Sequence, residues 1–491
     1  HRRYPMPESS QPAPGTRSCP TPKMIGYGTG EISVSLVTNS VFAFAMLFYT
    51  EALGLSPVLA GVAMAVATLW DGVTDPLMGQ LSDRTRHRFG RRHPWLVLGG
   101  ILMVLCYFFL WVVPEPFQAS SGSLFAYLLI VNLLFRTAFT MFFVPFVALG
   151  FEICTDYDGR SRIQSIRYIL NMAANFLGPA MSWALFFGDK DGVRGTTDPA
   201  NYLAMAATFA LVGLFFVGYV VWTTRHYITD TRNAPRQSFR LRALFKEIGG
   251  ILRDGSSGWV FGFAILVILG ISVVSTLQTY MYDLYMDFPG TLKSVTHGGT
   301  MAGMALGAFC SPFLVKRFDK IRAAVVGGVV NVGCNLGLAA IFLPDYGIVF
   351  GDFEVFGLPL DFLLFAPLNG LFWFGFGIML PVATSMMADA SEVNQIRTGV
   401  NKDGSYSALF SFALKFAQSI GMLGSGLLLA AVGLDTDREG APGEDVLWNL
   451  GAAFFIIGPL ISVVGIALIS RFPINRERLE AIRAEEGGGG P

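Results

Sequence analysis

Apolar runs of membrane-spanning length recur along the whole chain, separated by short polar breaks. A helix of about 20 apolar residues crosses a hydrocarbon layer of about 30 Å. Twelve runs meet that length, at 26–53, 57–81, 95–114, 123–150, 163–187, 202–224, 258–285, 294–315, 322–343, 361–388, 404–433 and 446–471. The pattern predicts an all-α membrane protein with twelve transmembrane helices. The only long polar break, at 225–257, divides the runs six and six. The expected organisation is a disordered tail at 1–23, a six-helix bundle at 24–224, a cytoplasmic linker at 225–257, a second bundle at 258–471 and a cytoplasmic tail at 472–491. An internal echo supports two related halves: Pro145 is followed eleven residues on by Asp156, and Pro381 eleven on by Glu392.

The polar positions inside these runs carry the chemistry. In WDGVTDPLMG, Asp71 and Asp75 lie four residues apart and therefore share one face of a helix. A carboxylate at membrane depth costs about 2.5–3.5 kcal/mol on insertion scales, so two neighbours require a reason. A bound cation is one, with Thr74 beside them and Thr140 on segment four as hydroxyl ligands. A buried pair bridged to an Arg is the other. Arg136 lies mid-segment and needs a carboxylate (Asp71, Asp75 or Glu31) or a water-lined cavity. Glu31, near the start of segment one, reads as an interfacial anchor or a cavity acceptor. Lys415 sits more than two turns inside segment eleven, where a snorkelling stem is the plain reading and a cavity role the sharper one. Gln418 shares its face. Gln278 and Tyr282 in segment seven, and Asn369 and Trp373 in segment ten, are cavity candidates or helix–helix bridges.

Charge orients the chain. The loop after segment two holds Arg84, Arg86, Arg88, Arg91 and Arg92, and the linker and the loops after segments four and eight are also basic. The breaks at 51–56, 115–122 and 344–360 contain no Lys or Arg. The asymmetry places both termini in the cytoplasm of a plasma (cell inner) membrane protein. Arg160, Arg167, Asp389, Arg397 and Asp403 then fall at cytoplasmic helix ends, as solvated loop charge or as ion pairs that lock the two halves.

Composition agrees with the pattern: 53% of residues are hydrophobic and 14% charged, against about 25% charged in soluble domains. Zero formal net charge gives no footprint for nucleic acid. The five Cys show no CxxC or metal spacing and read as free thiols. No GxSxG, Walker loop or HExxH is present, so no enzyme chemistry and no cofactor are expected.

Three stretches carry a resemblance: WDGVTDPLMG with SDRTRHRFGRRHPW, VPFVALGFEICTDYDGRSRIQSIR, and MMADASEVNQIRTGVNKDGSYSALFSFALKFAQSIG. Together they resemble the glycoside–pentoside–hexuronide:cation symporters, the melibiose permease-like branch of the major facilitator superfamily. The resemblance implies cation binding (Na⁺ or H⁺) at Asp71, Asp75, Thr74 and Thr140. It also implies substrate contacts at Glu31 and Lys415; Arg136, Gln418, Gln278 and Trp373, read from their places inside apolar runs, and Phe143 complete the expected substrate site. It departs where the family's segment-four sugar-binding acid is replaced by Phe143; Phe142 and Phe143 suit a sugar ring or a less polar solute. The expectation is a monomeric carrier of a glycoside-type solute, coupled to a cation and working by alternating access. A lysophospholipid carrier of the same fold and a non-transporting membrane sensor are the rivals.

Overall fold

The computed structural model describes residues 20–154, 157–189, 193–228, 230, 255–343, 353–399, 403–434, 442–474 and 476–487. Twelve long helices cross the molecule: α1 Thr21–Ala52, α2 Pro57–Arg84, α3 His93–Trp111, α4 Ser121–Ile153, α5 Tyr157–Leu185, α6 Pro199–Thr224, α7 Ser257–Tyr285, α8 Gly290–Phe318, α9 Lys320–Phe342, α10 Leu360–Thr398, α11 Asp403–Ala431 and α12 Glu444–Ile469. Among the described residues, eleven of them are long and apolar enough to cross a membrane. The twelfth, α5, carries Gln164, Arg167, Asn171 and Asn175 at spacings of three and four, a polar stripe along one face. The protein is an all-α membrane protein with the major facilitator fold.

Local sequence explains where the helices begin. Pro57, Pro94 and Pro199 occupy first-turn positions, where a missing N–H costs nothing. Ser120 and Ser123 form a reciprocal cap at the start of α4, and Asp198 accepts from Ala200 N at 2.9 Å. Several ends differ from the hydropathy pattern. α10 runs ten residues beyond 388, because polar residues such as Asp389 and Asn394 continue the helix after the apolar run stops. The expected tail at 472–491 contains a helix, Arg476–Gly487, whose Leu479 and Ile482 are buried. Of the tail expected to be disordered at 1–23, residues 1–19 lie outside the described residues, while Thr21–Lys23 already belong to α1; nearly all of the linker also lies outside them.

The packing has an internal twofold logic. In the first six helices α1 packs on α5 and α6, α2 on α4, and α3 on α4 and α6. In the last six, α7 packs on α11 and α12, α8 on α10, and α9 on α10 and α12. Adding six converts one set into the other. α1 and α7, which correspond, both end in a π turn, at Phe48–Ala52 and Met281–Tyr285. Between the halves the main seams are α2 with α11 and α5 with α8, which the same operation exchanges.

The two ends of the bundle differ. At the end with basic loops, Arg92 donates to Ser82 Oγ at 2.6 Å and pairs with Asp83 and Glu152, tying the hairpin after α2 to α4. At the far end, Phe48, Trp111, Trp183, Phe187 and Tyr202 interlock with ring centroids 4.6–5.8 Å apart.

Glycine permits the closest helix contacts. A methyl group at Gly307 of α8 would collide with the Phe374 carbonyl of α10, and one at Gly426 of α11 with the Pro57 carbonyl of α2. Gly307→Ala is expected to destabilise the protein by about 1–3 kcal/mol through overpacking, read as a lowered melting temperature of the purified protein. Gly333→Ala, with open space around the added carbon, should melt with the wild type.

Candidate functional site

The acid pair of α2 lies against α4 and α11. Trp70 Nε1 donates to Thr137 Oγ1 at 2.9 Å, and Asn132 Nδ2 contacts Met64 Sδ at 3.2 Å, so α4 presents one polar face to α2. Within that face Arg136 Nη1 donates to Asp71 Oδ2 at 3.0 Å, with both side chains buried. Thr140 Oγ1 donates to Asp75 Oδ1 at 2.9 Å and lies 3.3 Å from Thr74 Oγ1. Lys415 of α11 completes the group by pairing with Asp75 Oδ2 across the seam between the halves. The fold therefore brings Asp71, Thr74, Asp75, Thr140, Arg136 and Lys415 into one cluster.

Two acidic side chains face two basic ones: Arg136 stands against Asp71 and Lys415 against Asp75, the positions expected to hold a cation. Among the described residues no group of three or more His, Cys, Asp or Glu is placed to hold a metal. The compensation is uneven. Arg136 and Asp71 sit in the same half and are 9% and 4% exposed in their side chains, whereas Lys415 and Asp75 come from opposite halves and are 21% and 26% exposed. Asp71 Oδ1 and Arg136 Nε are buried without a partner, which leaves this pair polar capacity in reserve.

A second polar group lies toward the basic end, between α1 and α5. Arg167 Nε donates to Glu31 Oε1 at 2.8 Å and Arg167 Nη1 to Gln164 Oε1 at 2.8 Å. Asn171 Nδ2 reaches Glu31 Oε2 at 3.2 Å and Ser35 Oγ at 2.7 Å, and Asn175 Nδ2 reaches Asn171 Oδ1 at 3.0 Å. Glu31, Phe143, Gln164, Arg167, Tyr168 and Asn171 line a cleft of about 650 Å³. Tyr168 and Asn175 also border an apolar chamber of about 330 Å³ between α5 and α8, lined by Met172, Phe176, Met301, Met304 and Leu380. The polar cleft and the apolar chamber thus share a wall.

Other expected residues go elsewhere. Gln278 and Trp373 are buried and bonded to each other at 2.6 Å, and Asn369 donates to Tyr282 OH at 3.1 Å. Both pairs brace α7 against α10 and stay outside the Glu31 cleft, because the helix faces that carry them turn into the second half's core. The Gln418 backbone carbonyl accepts from Ser272 Oγ at 3.2 Å. Phe142 packs into the core against Phe146, while Phe143 faces the cleft. Among the expected gating residues, Arg167 pairs with Glu31 inside the first half and Asp389 with Lys320 at 2.5 Å inside the second. Each of these two pairs lies within one half. Arg397 is exposed, and the side chains of Arg160 and Asp403 lie outside the described residues.

Asp283, Lys293, Gln164, Asn171 and Asn175 join these polar groups without standing out individually in the sequence. Asp283 and Lys293 sit at the ends of apolar runs, where charge is ordinary; only the tertiary contacts show that they are buried. The α5 stripe was visible in the spacing.

Removing one member of the buried pair leaves its partner uncompensated. Arg136→Leu is expected to destabilise the protein by about 3–5 kcal/mol. The double variant Asp71→Leu/Arg136→Leu should recover most of that loss. Unfolding of the purified variants by heat or denaturant checks both.

Comparison with known proteins places the chain. The family model described as MFS/sugar transport protein matches residues 26–476. A sodium-dependent lysophosphatidylcholine symporter 1-A of Danio rerio is 35% identical over 92% of this chain and 86% of that protein. YagG of Escherichia coli (strain K12), which carries a provisional glycoside/cation symporter name, is 27% identical over 93% of each chain. Among solved structures, the nucleoside transporter NupG superposes with a TM-score of 0.61 over 92% of this chain and 99% of that one, at 12% identity. A D-xylose-proton symporter gives 0.60 over 92% and 96%, also at 12% identity. The chain is a membrane transporter that belongs to the MFS/sugar transport protein family.

Proposed function

We propose that this protein is a cation-coupled symporter that carries an amphipathic solute, a polar head group with one apolar chain of the lysophospholipid kind, and that its basic end faces the cytoplasm. The observation that carries the reading is the wall shared by the polar cleft and the apolar chamber. Glu31, Gln164, Arg167 and Asn171 offer charge and hydrogen bonds on one side of Tyr168. Methionines 172, 301 and 304 offer an adaptable apolar lining on the other. A head group and a chain need that juxtaposition. The 35% identity to a sodium-dependent lysophosphatidylcholine symporter supports the same solute class.

Coupling follows from the uneven compensation of the two acids. Arg136 stays with Asp71, since both belong to the first half. Lys415 reaches Asp75 from the second half, so rocking of the halves changes that contact. An entering Na⁺ or H⁺ competes with the Lys415 ammonium for Asp75, and Thr140 and Thr74 supply further oxygens. Cation binding thereby alters how α2 meets α11, and the solute senses the same rearrangement. The coupling is reciprocal: each ligand tightens the other by the same factor. In this reading Arg160, Arg167, Asp389 and Arg397 make the inner contacts between the halves when the cleft closes.

A glycoside solute is the second reading. The Phe143 ring beside the Glu31 carboxylate and the Asn171 amide would suit a sugar face and its hydroxyls. The glycoside/cation name of YagG and the melibiose permease-like stretch around Asp71 favour it.

Uptake into proteoliposomes decides between them, with lysophosphatidylcholine and a glycoside panel each tested under a Na⁺ or a pH gradient. Gradient-driven accumulation of the lysolipid, and none of the glycosides, is expected. Met304→Asp should cut lysolipid uptake at least tenfold; a glycoside carrier would be indifferent to it. Asp75→Asn should abolish gradient-driven accumulation while leaving downhill exchange. Accumulation that survives Asp75→Asn under both gradients would remove the coupling scheme.

A further inference from the structure

A second buried ion pair lies at the far end of the bundle, away from the acids of α2. Asp283, in the π turn of α7, is 1% exposed, and Lys293, in the first turns of α8, is fully buried. Lys293 Nζ donates to Asp283 Oδ1 at 2.6 Å. Both residues belong to the second half, yet the first half seals them. Thr196, in the turn Gly195–Thr197 between α5 and α6, donates to Asp283 Oδ2 at 2.6 Å. Trp183, near the end of α5, sets its ring 5.2 Å from Lys293 Nζ. The sealing elements are themselves held firmly. Tyr202 OH donates to the Thr196 carbonyl at 2.8 Å, and Asn201 Nδ2 donates to the Gly195 carbonyl at 2.7 Å. Gly290 makes the approach possible: a Cβ there would lie 2.6 Å from the Trp183 carbonyl oxygen. Two more contacts between halves flank the pair, Thr50 with Tyr280 OH at 2.7 Å and Thr279 with the Ala43 carbonyl at 3.2 Å.

We propose that Asp283, Lys293, Thr196 and Trp183 form the far gate of the transport cycle, and that the gate is loaded: the ion pair favours opening while its two caps enforce closure. When the halves rock apart at this end, Thr196 and Trp183 leave with the first half. Asp283 and Lys293 remain together in the second half and regain water. The gate opens by hydrating an intact ion pair rather than by breaking one. A buried pair gives up hydration that its mutual attraction only partly restores, so apolar residues of similar volume hold the same space more firmly. The caps contribute a hydroxyl bond and an aromatic face that exist only in the closed state. Loss of the pair also takes the partners from both caps, and in this proposal the recovered desolvation outweighs them, so loss of a cap and loss of the pair shift the equilibrium in opposite directions. The proposal rests on alternating access but on neither the solute nor the coupling ion.

Hydrogen–deuterium exchange mass spectrometry on the purified full-length chain, without solute, reads the gate directly in segments 193–198 and 281–293. Thr196→Val and Trp183→Leu should each speed exchange in both segments, on the order of tenfold for the stronger variant. Asp283→Leu/Lys293→Met should slow it, melt no lower than wild type, and slow net transport on the order of tenfold. Both classes shifting exchange in the same direction, or a double variant that fails to fold or opens faster, would overturn the proposal. A carrier that moves neither lysolipid nor glycoside leaves this measurement intact, so the two failures are distinguishable.

Discussion

Two carboxylates one helical turn apart on α2 must be compensated, because membrane depth offers no bulk water to do it. The protein draws the compensating charges from two places. Arg136 comes from α4, which stays packed on α2 through a ladder of polar rungs, and its pair with Asp71 is a fixture of the first half. Lys415 comes from α11, across the seam, so its pair with Asp75 depends on how the halves meet. One compensation is structural and the other conditional, and the difference follows from which half supplies the base.

The two seams between the halves exchange under the internal twofold, yet their chemistry has diverged. The α2–α11 seam is narrow and charged: Gly61 and Gly426 let the backbones approach, Ser419 donates to the Ala65 carbonyl at 2.7 Å, and Lys415 meets Asp75. The α5–α8 seam instead holds methionines and Phe176 around an apolar chamber. A duplicated scaffold thus offers one seam suited to charge and another suited to a greasy group. The polar stripe of α5, bonded to Glu31 of α1, joins the apolar chamber to the cleft at the basic end.

Charge recurs at the far end in a different form. There an ion pair internal to the second half is shut away by a hydroxyl and an indole from the first. In the proposed cycle, motion of the halves changes the pairing at the acids of α2 and, at the far end, only the hydration of a lasting pair.

Much of this was legible in the chain. Helix number, the six-and-six division and the cluster around Asp71 and Asp75 follow from span length and from the cost of unpaired charge in lipid, which are local properties of the sequence. Thr140, Arg136 and Lys415 could be nominated because each is polar within an apolar run. Their assignments could not. That Arg136 takes Asp71 and Lys415 takes Asp75 depends on how α4 and α11 are rotated against α2. The same rotations send Gln278 and Trp373 into the core of the second half, though both resembled cavity residues. Asp283 and Lys293 read as ordinary helix-end charges until the turn at Gly195–Thr197 covered them. A sequence fixes what must be compensated, since burial cost belongs to each residue alone; the tertiary structure decides by which partner, since that is a matter of facing helices in three dimensions.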